Sequence, residues 1–480
     1  MEISVINNKK CKTKADVLII PVFEGEKFDC ACMKEFSDYV KKEMDFNKKY
    51  LETACVPTYK KITPKNIIFM GLGKKEECSL NKIRVASSKV FQKIQSMKKI
   101  STVTVGVDNL SDFNIQNATQ NIVEGALLGL YKFDKYKTDK KDNKIKNIIV
   151  ISKENVNNAV KKAETICDAV NYTRDLINEP AELVTPQKLA TLAKGLKGIT
   201  VKVYGAAECK KMGMGAFLAV GQGSRHEQQF IHMKYTPKKA KKGTLALIGK
   251  GITFDSGGLD IKPAASMLEM KGDMAGAASI LSVMKSLAVI KPDIEIHGII
   301  AACENMPASH SYKPGDVLTA MNGKTIEVDN TDAEGRLTLA DALCFAETLK
   351  PDAIIDIATL TGACCVALGK VASGLLGNND ELIENIQLSA EEAGEYLWEM
   401  PMYEEYFEDL KSDIADFKNS GSRYGGTSAA ALFLQKFVKS TPWAHIDIAG
   451  TSIINKPLRE LPKGATGVGV RTIINYICNV

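Results

Sequence analysis

The sequence predicts an α/β protein in two parts: a smaller N-terminal α/β domain, then a larger C-terminal α/β domain with a central mixed, mostly parallel sheet. Three observations predict it. Short apolar runs alternate with amphipathic stretches along the whole chain, as when strands and helices take turns. The apolar runs of the second part are nearly continuous, as expected of strands buried on both faces. At 480 residues the chain exceeds the usual single domain.

In the first part the strand candidates are "ISVI", "ADVLIIPVF", "NIIFMGLG", "STVTVGV" and "NIIVIS". Between them "NKIRVASSKVFQKIQSMKK" has apolar residues at helical spacing. A long helical pattern over 155–180, stopped by Pro180, serves as the connector, with the boundary near residue 165. The expected domains are therefore 1–165 and 166–480. The second part offers strands "TLALIG", "IEIHGIIAAC", "KTIEV", "DAIIDIAT" and "AHIDIAG", with helices "AGAASILSVMKSLAV" and "LTLADALCFAETL".

Composition excludes more than it selects. Hydrophobic residues are 45% and charged residues 25%, ordinary for a globular protein. A net charge of +6, from 63 basic and 57 acidic residues, argues only weakly for a polyanionic partner. The lysine run "DKYKTDKKDNKIKN" (134–147) has the character of a solvated loop, which leaves a nucleic-acid-binding or scaffold role for the N-terminal domain as the lesser alternative. The twelve cysteines are scattered, and Cys30–Cys32 and Cys364–Cys365 lack the CxxC spacing of a zinc site. Reduced, mostly buried thiols in a cytoplasmic protein are expected. The N-terminus has no signal-peptide form and no apolar run reaches the length of a membrane span, so no membrane partner is expected.

Ligands of open α/β sheets bind beyond the carboxyl ends of the strands. There "TLALIG" runs into Lys250, then "GITFDSGG" with Asp255, then Lys262. Asp273 stands where the next helix opens, and "KTIEV" leads to Asp332, Glu334 and Arg336. Taken singly, Asp273, Asp332 and Glu334 each fit a helix-capping role. Together, four carboxylates repel one another unless cations compensate, and a divalent metal compensates better than two lysines. Hard oxygen donors suit Mg²⁺ or Mn²⁺, and zinc also accepts carboxylates. A lysine can join such a set only as the neutral amine. Other chemistries lack their motifs: there is no G-x-S-x-G elbow, and Gly323–Thr325 lacks the earlier glycine of a P-loop. "GKGITF" lacks the third dinucleotide glycine, and "HEQQF" lacks a second histidine.

These residues resemble a known family. "NTDAEGRLTLADAL" is similar to the signature of the M17 leucyl aminopeptidases, the cytosol aminopeptidase family. "GKGITFDSGGLDIKP", "EMKGDMAGAAS", "INEPAELVTP", "DIATLTGAC", "NSGSRYGGTSAAALFL" and "WAHIDIAGTS" resemble family segments in the same order, and "EGALLGLYKFDKYK" extends the likeness into the first part. The resemblance implies a macro-domain-like N-terminal domain, a C-terminal two-metal peptidase domain, and release of N-terminal leucine or other large apolar residues from peptides. It implies Lys250, Asp255, Asp273 and Glu334 around a tighter metal, and Asp255, Asp332 and Glu334 around a more exchangeable one. The ions would be zinc or manganese, with magnesium or cobalt as substitutes, and would activate a water. It implies Lys262 and an Arg336-held bicarbonate as the catalytic groups, and Met270, Asn330, Thr359, Leu360 and Gly362 as substrate contacts. It also implies a homohexamer. One departure is Asp260, where the family has a small polar residue; on a strand it would share a face with Lys262 and pair with it. Asp329 and Gly335 are left with ordinary structural roles.

Overall fold

A computed structural model describes residues 1–7, 10–26, 31–139, 145–238 and 242–480. Cys30 and residues 140–144 of the lysine run lie outside the described residues. The chain forms two compact units, Met1–Asp168 with Lys456–Pro462, and Ala169–Asn455 with Lys463–Val480. The helix Asn157–Asn178, two residues short of Pro180, carries the chain from one to the other.

Among the described residues, the first unit is built on a six-stranded sheet. Its strands are β1 (Glu2–Ile6), β2 (Val17–Val22), β3 (Thr53–Pro57), β4 (Asn66–Gly71), β5 (Thr102–Gly106) and β6 (Asn147–Ile151), in the order β1-β6-β5-β2-β4-β3. All pairings are parallel except β3 with β4. The apolar runs read from the sequence become β1, β2, β4, β5 and β6. The strand β3, "TACVP", escaped that reading because as an edge strand it needs only alternate burial and ends in Pro57. Helices such as Leu80–Ser96, capped by the Ser79 hydroxyl on Lys82 N, pack on the sheet.

The second unit holds an eight-stranded mixed sheet among the described residues. Its strands are β7 (Thr200–Tyr204), β8 (Gln229–Tyr235), β9 (Thr244–Asp255) and β10 (Glu295–Asn305), then, past β11 (Val317–Thr319) and β12 (Thr325–Glu327), β13 (Ala353–Ala358), β14 (Ala372–Gly377) and β15 (Tyr396–Glu399), and, past β16 (Phe417–Lys418), β17 (Trp443–Asp447). Their order is β15-β14-β17-β13-β9-β10-β8-β7. The central run from β17 to β10 is parallel, whereas β8, β7 and β14 pair antiparallel to their inner neighbours. The central strand β9 is buried at all but one position, which explains its unbroken apolar sequence. A small sheet, β11-β12-β16, lies apart from the large one in pairing.

The stretch Met270–Ile290 is long and apolar enough to cross a membrane, yet 78% of its apolar window is buried within the protein. Its helix, Ala275–Ile290, packs against β9, β10 and β13, so its composition is that of a core helix. Three of the five histidines lie inside the sheet. His445 faces Asp356, its register partner, with 2.5 Å between Nδ1 and Oδ1. His232 Nε2 lies 2.8 Å from His297 Nδ1.

Candidate metal centre

Lys250 lies within β9 and Asp255 ends it, so the strand itself sets their separation. Gly257 and Gly258 then turn the chain with φ of 88° and 68°, a conformation glycine adopts without strain. That turn corrects the view of Asp260: residues 256–263 are not a strand, and its carboxylate does not meet Lys262. Instead Asp260 Oδ2 accepts from Thr331 N at 2.7 Å and from Thr331 Oγ1 at 3.0 Å.

The capping alternatives are not realised. Glu334 occupies the N-cap position of the helix Gly335–Thr348 but makes no side-chain cap hydrogen bond. Asp273 stands one residue before Met274, the N-cap of Ala275–Ile290. Both carboxylates turn to one ammonium: Lys250 Nζ lies 2.9 Å from Asp273 Oδ2, 2.8 Å from Glu334 Oε1 and 2.9 Å from the Thr359 carbonyl. Lys262 Nζ lies 2.8 Å from Asp255 Oδ2 and 2.5 Å from Asp332 Oδ1. Asp255, Asp273 and Glu334, all buried, each offer an oxygen within 4.8 Å of the others.

Two lysines face four carboxylates, so the four can be ionised together only if further positive charge joins them. Burial alone disfavours the charged lysines, but Asp273 and Glu334 around Lys250, and Asp255 beside Lys262, hold both above the usual lysine range. Burial pushes Asp273 well above the ordinary carboxylate range, with Glu334 and Asp255 adding to the rise against Lys250. Burial likewise pushes Asp332 up to about 6, against its contact with Lys262. Asp273 Oδ2, Asp332 Oδ1 and Glu334 Oε1 are buried, and the partner each meets is a lysine ammonium, at 2.9, 2.5 and 2.8 Å. Buried carboxylates crowded around two ammonium groups repel one another, which is costly. This all-oxygen donor set with a neighbouring amine fits divalent cations, which would supply the missing charge.

A cavity of about 530 Å³ opens on the cluster. Lys250, Asp255, Lys262, Asp273, Asp332 and Glu334 line it, and so do Met270, Thr359, Leu360 and Gly362. Arg336 and Asn330 are not among its lining residues. Arg336 donates from Nη1 to the Asn419 carbonyl at 2.8 Å, and Asn330 Oδ1 accepts from Asp332 N at 2.7 Å.

Sequence reasoning passed over several residues that shape the cluster. Asn305 Nδ2 donates to Asp255 Oδ1 at 2.9 Å and to the Thr331 carbonyl at 2.9 Å. Gly335, taken as ordinary, is not: a Cβ there would lie 2.5 Å from Lys250 Cε and 2.6 Å from Nζ, so its bareness admits the lysine. Its place inside the quoted signature was the available signal. Asn305, on a different strand in an unremarkable apolar run, offered none.

Comparison with known proteins follows the same division. The cytosol aminopeptidase family's catalytic domain matches residues 171–474, and its N-terminal domain matches residues 12–140. A probable cytosol aminopeptidase of Persephonella marina (strain DSM 14350 / EX-H1) is 45% identical over 451 residues, 92% of this chain and 90% of the relative. One from Clostridium tetani (strain Massachusetts / E88) is 44% identical over 415 residues, 85% of this chain and 86% of the relative. Among solved structures, a lysine-to-glutamate mutant of tomato leucine aminopeptidase superposes with a TM-score of 0.90 at 34% identity, covering 100% of this chain and 97% of that one. The bottromycin maturation enzyme BotP in complex with Mn superposes at 0.87 with 30% identity, covering 96% and 99%.

Proposed function

The chain belongs to the cytosol aminopeptidase family, and from that premise we propose that it is a leucyl aminopeptidase acting on the N-terminal residue of peptides, leucine or another large apolar residue being preferred. The observation that carries the reading is the buried cluster of four carboxylates that share only two lysine ammonium groups, opening into the cavity that Met270 and Gly362 line.

Lys250, Asp255, Asp273 and Glu334 would hold the tighter of two divalent ions, and Asp255, Asp332 and Glu334 the more exchangeable one. Zinc or manganese, with magnesium or cobalt as alternatives, would supply Lewis acidity and lower the pKa of a water toward neutrality. The rest falls to the chain's own groups. Lys262, at the cavity wall, would stabilise the oxyanion as charge develops on the attacked carbonyl, an interaction strongest in the transition state. Arg336, with its planar fork, would hold a bicarbonate, which would supply a general base when bound. The substrate's free amine would face Asp273, which restricts cleavage to the first residue. Met270, Thr359, Leu360 and Gly362 would receive the first side chain, while Asn330 would contact the backbone.

A cytoplasmic location and a homohexamer belong to the same proposal. The relatives' common description as cytosol aminopeptidases supports the former.

Hydrolysis of leucine p-nitroanilide by the wild type and by Glu334→Ala tests the reading. Loss of turnover in a variant that still unfolds cooperatively supports it. Full activity in Glu334→Ala with verified metal content defeats it.

A further inference from the structure

The loop Asp329–Ala333 carries Asp332 but lies outside any helix or strand, so its backbone groups need partners from elsewhere. Asn419 supplies four of these contacts, beside those of Asp260 and Asn305 to Thr331. Asn419 is fully buried, and its Oδ1 accepts from Asp329 N at 2.8 Å and from Asn330 N at 3.2 Å. Its Nδ2 donates to the Asn330 carbonyl at 2.7 Å and to the Ala333 carbonyl at 3.2 Å. These four bonds use the full capacity of a carboxamide and fix which way the amide points. The backbone of the same residue is also engaged. Asn419 N donates to the Glu327 carbonyl at 2.9 Å, extending the pairing of β12 with β16, and its carbonyl accepts from Arg336 Nη1.

We propose that Asn419 is a positioning residue that clamps the 329–333 loop and orients Arg336, and so holds Asp332 where it can bind a divalent cation. The inference rests on the aminopeptidase reading for the metal but on the hydrogen bonds alone for the clamp. Asn419 touches no reacting atom; it acts through the loop. A carboxylate in its place keeps both acceptor contacts but turns lone pairs toward the Asn330 and Ala333 carbonyls, which then lose their donors.

Asn419→Asp should bind Mn²⁺ at least tenfold more weakly by calorimetric titration, and lower kcat at least tenfold with KM changed less than threefold. Asp416→Ala is the comparison. Asp416 accepts from Thr325 N at 2.7 Å in the same small sheet without reaching the loop, so its loss should leave Mn²⁺ affinity within twofold. Equal Mn²⁺ affinity in wild type and Asn419→Asp, or equal losses in both variants, overturns the proposal. Amide hydrogen exchange on the metal-free wild type decides the clamp even if Asn419→Asp does not fold. The Asp329 and Asn330 amides should exchange at least a hundredfold more slowly than that of the exposed Asn322; equal rates overturn it. If the wild type bound no Mn²⁺, the aminopeptidase reading would fail while the exchange result still judged the clamp.

Discussion

Asp260 and Thr331 are joined twice, through the Thr331 backbone N–H and its hydroxyl, both donating to Asp260 Oδ2. The Asp260 N–H donates in return to Thr331 Oγ1 at 2.9 Å. The turn after β9 is thereby fastened to the loop that carries Asp332, and Lys262 is left free to meet Asp255 and Asp332. Removing the carboxylate strands a fully buried threonine amide. Asp260→Ala should therefore lose about 1–3 kcal/mol of stability, read from chemical unfolding, and lower turnover more than substrate affinity. A variant as stable and active as wild type would mean that the two loops are held by something else.

Gly335 must stay bare for Lys250 to reach the carboxylates. Gly335→Ala puts a methyl against Lys250 Nζ, whose three contacts leave it little room to retreat. Activity should fall at least tenfold while the helix itself gains propensity, since alanine is worth about 1 kcal/mol over glycine in a helix. Wild-type turnover in this variant would show that the lysine head can move without consequence.

Lys250 is the counter-ion of the metal-free cluster. Lys250→Met leaves Asp273 and Glu334 without it at a site where both are buried. In the presence of EDTA the variant should be destabilised by about 3–5 kcal/mol, the usual result of removing one partner of a buried pair. Added Mn²⁺ should recover part of that loss. Unchanged melting in EDTA would contradict this charge balance.

Asp332 gives the metal-free protein a pH dependence with a definite sign. Burial, helped by Asp255 and Glu334, raises it from 3.8 to about 6. The folded, metal-free chain thus keeps a proton that the unfolded chain releases, so this contribution to stability is complete below about 3.8 and lost as pH rises through about 6. Metal must displace the same proton, so affinity runs the opposite way. Mn²⁺ should bind at least tenfold more weakly at pH 5 than at pH 7.5. A flat profile would remove Asp332 from the ligand set.

Gly362 faces open space: a Cβ there meets nothing within 4 Å, and the residue lines the cavity. Gly362→Val should fold normally yet narrow the cavity. Its kcat/KM should fall about tenfold for leucyl substrates relative to alanyl ones, a discrimination of the size that a few methylenes provide. Equal losses for both substrates would place the first side chain elsewhere.

The two α/β parts were legible because buried parallel strands demand continuous apolar runs, and β9 and β10 are such runs. Edge strands such as β3 and β15 were not, since half-exposed strands carry a weak apolar signal. Asp255, Asp332 and Glu334 could be named from their places at or after strand ends, whereas Lys250, which lies inside β9, and Asp273, which precedes a helix, owed more to the family signature. Which of them meet, and that Glu334 forgoes its capping bond for Lys250, depended on how β9, the 359 segment and the 335–348 helix pack together. Asp260 shows the limit most clearly. Sequence neighbourhood offered Lys262 as its partner, whereas the glycine turn at 257–258 redirects it to Thr331. Asn419 and Asn305 reach the site from chain segments far from the residues they hold, and no local pattern records such a contact. The residue types and their spacing along each strand were determined by the sequence itself, through periodicity and burial. The pairings were decided only in three dimensions, because a hydrogen bond between distant segments depends on packing that is cooperative and non-local.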